Sequence, residues 1–246
     1  MLREILFGVA VVGCAGLASA GTTTFDNGIE GWGVYFFNEG PLGDFERAED
    51  GNPGAHLQVI NTDTFGLNLR NDSNAEVLGD YTSKFAGGVN LSVDIKAESI
   101  QFFGDEVGRD VAVELVDFNP EGSDYPWTSV WYNLGTIQAT PAESDWQTLS
   151  VTIADPSSTS LPAGWGGYGA EDPVTFEPIL PADRTFASVL ASVDEVRFTT
   201  FVPGFFFGFT NFDVRYDNVT VAAVPEPATL SVLAGTGALL MRRRSR

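Results

Sequence analysis

The sequence predicts an all-β protein, an antiparallel β-sandwich of jelly-roll type. Three observations predict it: apolar and polar residues alternate in segment after segment, Gly- and Asn-rich stretches separate the segments, and helical periodicity is scarce. In "VNLSVDIKA", Val89, Leu91, Val93 and Ile95 point one way, and Asn90, Ser92, Asp94 and Lys96 the other. "DVAVELVDF" sets Val111, Val113 and Leu115 on one face, and "QTLSVTI" does the same with Leu149, Val151 and Ile153. "DEVRFTTF" offers Val196 and Phe198, and "RYDNVTV" offers Val219 and Val221. Each reads as a strand with one buried face. "EDGNPGA" and "RNDSNAE" supply turns. "DRTFASVLASVDEV" allows one short helix, and the Pro/Gly-rich stretch from Asp155 to Asp183 is expected to be a surface excursion. "PGFFFGFTNF" places four phenylalanines within five residues. A buried strand with a bulge at Gly208 is the expectation there, and an exposed apolar patch is the alternative.

The 246 residues carry a net charge of −20, and the ends differ from the body. Arg3, Arg242, Arg243, Arg244 and Arg246 lie in the terminal segments, which leaves eight basic residues against 31 acidic ones between them. That surface repels phosphate backbones, so no nucleic-acid partner is expected. The only cysteine, Cys14, is in the leader, which excludes a disulfide framework or a CxxC zinc site from the body. The lone His56 reads as a strand residue, and no G-x-S-x-G surrounds any serine. A retaining glycosidase needs two carboxylates about 5–5.5 Å apart. Alternation sends Glu114 and Asp117 to opposite faces, and Asp194 and Glu195 diverge as neighbours. No enzyme is expected.

Residues 1–20 form a basic, apolar leader ending in Ala18-Ser19-Ala20, the pattern of a secretory signal peptide cut after Ala20. "VVGC" ending at Cys14 offers a competing lipobox reading, with Cys14 lipidated. Residues 222–246 form a second special segment. The apolar stretch 228–241 spans about 21 Å as a helix, short of the ~30 Å hydrocarbon core. Arginines follow it and would stay on the cytoplasmic side. Pro225-Glu226-Pro227, an apolar helix and the Arg242-Arg243-Arg244 cluster together resemble the PEP-CTERM sorting signal. The resemblance implies an exosortase-type membrane protease as partner and transient inner-membrane insertion through the C-terminal transmembrane helix. It also implies release to the cell surface or extracellular matrix of a Gram-negative-type bacterium.

The body, 21–221, opens with "TFDNGIEGWGVYFF", passes through "WQTLSVTIADPSS" and "FASVLASVDEVRFTTFV", and closes with "VRYDNVTV". This order resembles the laminin B (domain IV) family and, more loosely, galactose-binding-like carbohydrate-binding modules. The resemblance implies one structural calcium held by Asp26, expected in the first strand, and Asp217 in the last. The loop around Asp50 would supply further oxygens. Turn and edge hydrogen bonds are the competing role for these carboxylates. Sugar-binding modules stack rings on sugar faces, which makes Trp127, Trp131 and Tyr132 in "YPWTSVWYN", and Trp165 and Tyr168 in the excursion, the ligand candidates. Burial in the core is the competing role for each. The expected function is non-catalytic binding of glycan or exopolysaccharide. A structural or adhesive matrix protein and a glycan-active hydrolase are the alternatives.

Overall fold

A computed structural model describes residues 21–35, 45–118, 126–139 and 145–225. The leader with Cys14, Ala18 and Ala20, and the segment carrying Glu226, Pro227, Arg242, Arg243 and Arg244, lie outside the described residues. The elements run, in chain order, β1 (Gly21–Thr23), β2 (Trp32–Tyr35), β3 (Phe45–Ala48), β4 (His56–Thr64), β5 (Asn68–Asn71), α1 (Tyr81–Lys84), β6 (Val89–Phe102), β7 (Asp105–Glu106) and β8 (Arg109–Asp117). They continue through β9 (Thr128–Ile137), β10 (Gln147–Ile153), β11 (Trp165–Tyr168), β12 (Ala170–Glu171), β13 (Pro178–Ile179), α2 (Phe186–Leu190), β14 (Glu195–Thr199) and β15 (Thr210–Ala223).

Two antiparallel sheets face each other. One runs β10-β6-β15-β4-β3, with β1 added to β15 and β7 to β6, and the other runs β11-β9-β8-β14-β5-β2. The alternating positions explain the core. Val89, Leu91, Val93 and Ile95 of β6 meet Val111, Val113 and Leu115 of β8 in one buried cluster, with Val196 and Phe198 of β14 beside them. A sheet face lined by β-branched and aromatic side chains loses water only against a second such face, so the pattern dictates two layers. In β15, Phe212, Val214 and Tyr216 are buried, and so are Val219 and Val221 of the opposite parity. The register shift between Asp217 and Thr220, with Asn218 at φ 47°, reconciles the two sets. Asp217, just before the bulge, keeps the outward parity and stands opposite Asp94.

The single short helix expected near Phe186 is α2, and its N-cap is a reciprocal Thr185–Ser188 box. Three expectations change. The stretch 155–183 is no mere excursion: its Trp165–Tyr168 pairs with Ser129–Tyr132 as an edge strand. Asp26 is not in the first strand, because Phe25 at φ 59° ends β1 and leaves Asp26 in the following turn. The phenylalanine run is a loop: Pro203 and Gly204 interrupt pairing, and β15 starts only at Thr210. Among the described residues no helix is long and apolar enough to cross a membrane.

Candidate functional site on the outer face of the six-stranded sheet

The strand parity that buries Val113, Val196 and Leu69 turns Glu114, Arg197 and Arg70 to the other side of the same sheet, directly opposite one another across β8, β14 and β5. Trp131 on β9 continues the row beyond Glu114. Arg197 is the hub. Its Nε donates to Glu195 and its Nη1 to Glu114 at 3.4 Å, while Arg70 Nη1 lies 3.4 Å from the second Glu195 oxygen. Ser129 Oγ on β9 donates to Glu114 at 2.5 Å. Burial opposes the charge on Arg197, but Glu114 and Glu195 outweigh it and hold the guanidinium above its ordinary value. Burial pushes Glu195 up, and Arg197 and Arg70 offset this only in part.

Over this row lies a cavity of about 320 Å³. Its floor is Asn68, Glu114 and Arg197, its walls are Trp127 and Tyr168 on one side, and the chain from Phe201 to Gly204 forms the other. The volume sits at the small end of ligand pockets. Trp127 and Tyr168 stack at 5.8 Å, and the Arg197 guanidinium stands 5.6 Å from the Trp127 ring centre. Gly66 allows the opposite wall to close in, since a Cβ there would stand 2.8 Å from the Phe201 ring, and Leu67 and Thr200 fix it by paired backbone and hydroxyl bonds. Two glycines shape the flanks. Gly166 leaves the room in which the Trp131 indole lies across β11, and Gly33 does the same for Tyr35, over which Arg70 sits at 3.8 Å. Among the described residues the buried ring N–H groups of Trp127 and Trp131 and the Nε of Arg70 meet no hydrogen-bond acceptor. Buried groups of this kind call for an acceptor.

Of the five aromatic candidates, Trp127 and Tyr168 wall the cavity and Trp131 flanks it. Tyr132 and Trp165 turn inward. Trp165 is 8 % exposed and packs on Phe186 and Tyr132, because the β9–β11 register puts both on the core side. Glu114, Arg197, Asn68 and Phe201–Gly204 were not in the sequence-derived set. The signal for the first two is a charged residue at an outward position inside an otherwise apolar strand, "VELV" and "EVRF".

The carboxylates proposed for a cation lie on the other sheet. Asp217 accepts from the Asn52 and Asn218 backbone N–H groups at 2.5 and 2.7 Å, and Asp26 accepts from Ala55 N–H at 2.9 Å, so both reach the loop 51–55. Asp94, opposite Asp217 in the sheet, accepts from the Asn52 and Asn218 amides at 3.1 and 2.8 Å. A Cβ on Gly51 would stand 2.7 Å from Asp217, and one on Gly54 would collide with Asp26. Burial pushes Asp217 up; the two N–H bonds oppose this, while Asp94 and Asp26 add to it. Asp50 points elsewhere, to Arg215 at 3.2 Å and His56 at 3.7 Å. Among the described residues no three His, Cys, Asp or Glu side chains gather as a metal cluster. The oxygen-rich, glycine-lined loop suits a hard cation only if carbonyls join Asp26 and Asp217.

No protein-family model matches the chain. No curated protein matches it either. Among solved structures, the C-terminal family 22 carbohydrate-binding module of Clostridium thermocellum Xyn10B aligns at 12% identity and a TM-score of 0.39, covering 82% of this chain and 92% of that one. A family 30 carbohydrate-binding module aligns at 12% identity and 0.42, covering 84% and 85%. A carbohydrate esterase of Shiga toxin-encoding bacteriophage phi24B aligns at 12% identity and 0.44, covering 84% and 100%.

Replacing Arg197 by Met leaves Glu114 and Glu195 buried without their shared cation, which costs about 3–5 kcal/mol at neutral pH. Glu195 already has a raised folded pKa, so below that pKa it takes up a proton in the native state and the charge that needs Arg197 disappears. The stability deficit of Arg197→Met in urea unfolding shrinks as pH falls from neutral through the acidic range. A deficit that does not change with pH contradicts the charge network.

Proposed function

We propose that the chain is a secreted, non-catalytic glycan-binding module that takes a neutral sugar unit in the cavity between Trp127, Tyr168 and Phe201–Gly204. The single observation that carries this reading is the composition of that cavity: stacked aromatic walls over a floor of paired, hydrogen-bonding charges. Sugars present apolar ring faces and dense hydroxyls, and both halves of that chemistry have a counterpart here. Glu114 is the one carboxylate lining the cavity among the described residues. Glycoside hydrolysis uses two flanking carboxylates, which favours binding over catalysis. Calorimetry of the chain against a panel of soluble neutral oligosaccharides tests the reading. Trp127→Ala is expected to weaken the best binder at least tenfold, about 1.4 kcal/mol or more, with the fold retained by circular dichroism. Binding to none of them returns the protein to the structural or adhesive matrix reading, and released reducing ends support the hydrolase reading.

A structural calcium belongs to the same proposal, held by Asp26 and Asp217 with carbonyls of the loop 51–55. It would neutralise the Asp217 carboxylate, which burial and its neighbours Asp94 and Asp26 push up, and it would stabilise rather than catalyse. At calcium a hundredfold above its Kd the native state gains about 2.7 kcal/mol. Thermal unfolding with calcium and with chelator is expected to differ by several degrees, and Asp217→Ala is expected to abolish the difference. Identical melting curves for the unaltered chain remove calcium from the proposal.

Export and sorting complete it. The leader directs secretion, and the tail from Pro225 to Arg246 is held by an exosortase-type protease and removed on the way to the cell surface or matrix. Intact-mass analysis of the secreted protein is expected to show a species without Arg242–Arg246. A secreted species that retains them contradicts the processing.

A further inference from the structure

β10 is an edge of the seven-stranded sheet. β6 pairs with one side of it, and among the described residues no strand pairs with the other. An exposed strand edge is a row of free N–H and C=O groups, and proteins guard such rows with short strands, charges, proline or bulges. The other edge strands follow that rule. β1, β2, β3, β7 and β11 have four residues or fewer, β3 and β7 carry charges, and β11 holds two glycines. β10 has none of these guards. Its seven residues, Gln-Thr-Leu-Ser-Val-Thr-Ile, include no charge, proline or glycine. Its register with β6 runs from Gln147 opposite Ile95 to Ile153 opposite Val89 without a shift.

The order of these residues says what fits. In either direction from Ser150 the strand places a half-buried aliphatic residue, Leu149 or Val151, and then an exposed threonine, Thr148 or Thr152. Two copies laid antiparallel about Ser150 match Leu149 with Val151, Thr148 with Thr152, and Ser150 with itself. Threonine pairs and β-branched aliphatic pairs are favourable across strands. Parity agrees. Each match joins two odd or two even positions, so the free backbone groups of one copy meet those of the other. Leu149 and Val151, which pack on the core, then stay on one side in both copies. The loop Phe201–Phe209 is apolar too, but it holds Phe207 against Arg109 and Phe102 and leaves Phe205 and Phe206 exposed with no such symmetry. We propose that β10 pairs with β10 of a second copy in a twofold contact that merges the two seven-stranded sheets into one.

A twofold axis of this kind stands perpendicular to the sheet. Both six-stranded sheets therefore lie on the same side of the merged sheet, and both cavities face the same way. On the glycan-binding reading, which this consequence rests on and the pairing does not, the dimer presents two sites to one polysaccharide surface. One seven-residue edge is small beside the roughly 1,200–2,000 Å² of a standard interface, so a weak, reversible dimer is expected. The chain carries a net charge of −20, and Asp145 and Asp155 flank the strand, so added salt is expected to strengthen the contact.

Analytical ultracentrifugation of the full chain, without glycan, tests the pairing. A concentration-dependent dimer is expected. Ser150→Glu sets two carboxylates face to face at the axis and is expected to weaken the dimer at least tenfold. Its melting temperature at a dilution where both proteins are monomeric is expected to be unchanged, because Ser150 is exposed. A second pair of variants, both carrying Cys14→Ser, reads the register. Ser150→Cys is expected to give a disulfide-linked dimer on mild oxidation, since facing Cβ atoms lie about 4.5–5.5 Å apart. Thr148→Cys is not, since it lies about 13 Å along the strand from its own copy. All variants keep the leader and tail, so differences report β10. A monomer at every concentration overturns the proposal. So does a dimer unmoved by Ser150→Glu, which places the contact elsewhere, or cross-linking at 148 as ready as at 150. Oligosaccharide binding by the cavity is read separately, because β10 does not line it.

Discussion

Arg197 is the residue around which the outer face of the six-stranded sheet is organised. The residue is 6 % exposed, on a strand flanked by β8 and β5, and its guanidinium could not stay charged there without Glu114 and Glu195. Glu114 is in turn held by Ser129 of β9, and Glu195 by Arg70 of β5. One charge therefore fixes side chains on four adjacent strands, from β9 to β5 with β8 and β14 between them as the centre. An apolar face would have packed more simply. A face of paired charges remains polar under its cover, and it keeps donors and acceptors available beside aromatic rings.

Glycine decides how closely those rings approach. Gly166 and Gly33 stand on the two edge strands, and each leaves the space into which a neighbouring aromatic side chain folds flat. Gly66 does the same for the Phe201 wall. The cavity is thus bounded by contacts that a single methyl group would disturb, which makes its shape a property of the backbone as much as of the side chains.

The opposite sheet follows a different logic. There Asp217 lies on the outward face of β15 opposite Asp94, against the loop 51–55, where donors of Asn52 and Asn218 bind both carboxylates. The loop thereby joins the first turn, through Asp26, to the last strand. Chain segments far apart in sequence close one end of the sandwich, and the terminal strand β1 pairs with β15 beside them. Closure of this kind is long-range and forms only when most of the sandwich is assembled.

Much of the architecture was legible in the residues. Val89 to Ile95, Val111 to Leu115 and Val196 with Phe198 declared their buried faces, because the period of two follows from strand geometry alone and needs no partner to be read. The short helix at Phe186 was visible in its own apolar spacing, while α1 at Tyr81–Lys84, a single turn capped by Asp80, was not. Where both parities of a strand are aromatic, as at Trp131 and Tyr132, alternation says that the two diverge but not which one faces the core. Register with Trp165 decided that, sending Tyr132 inward and Trp131 out. The run of phenylalanines offered no polar alternate to mark its face, and Arg109 and Phe102 from distant strands decided which ring was held. Asp26, in a turn rather than the first strand, and Asp217 both reach the loop 51–55, while Asp50 is drawn away by Arg215. The sequence by itself determined two β-layers and their inward faces. Only the tertiary structure assembled the cavity, since its walls come from β5, β8, β11, β14 and two loops, and pairing between strands far apart in the chain is set by the packing of the whole.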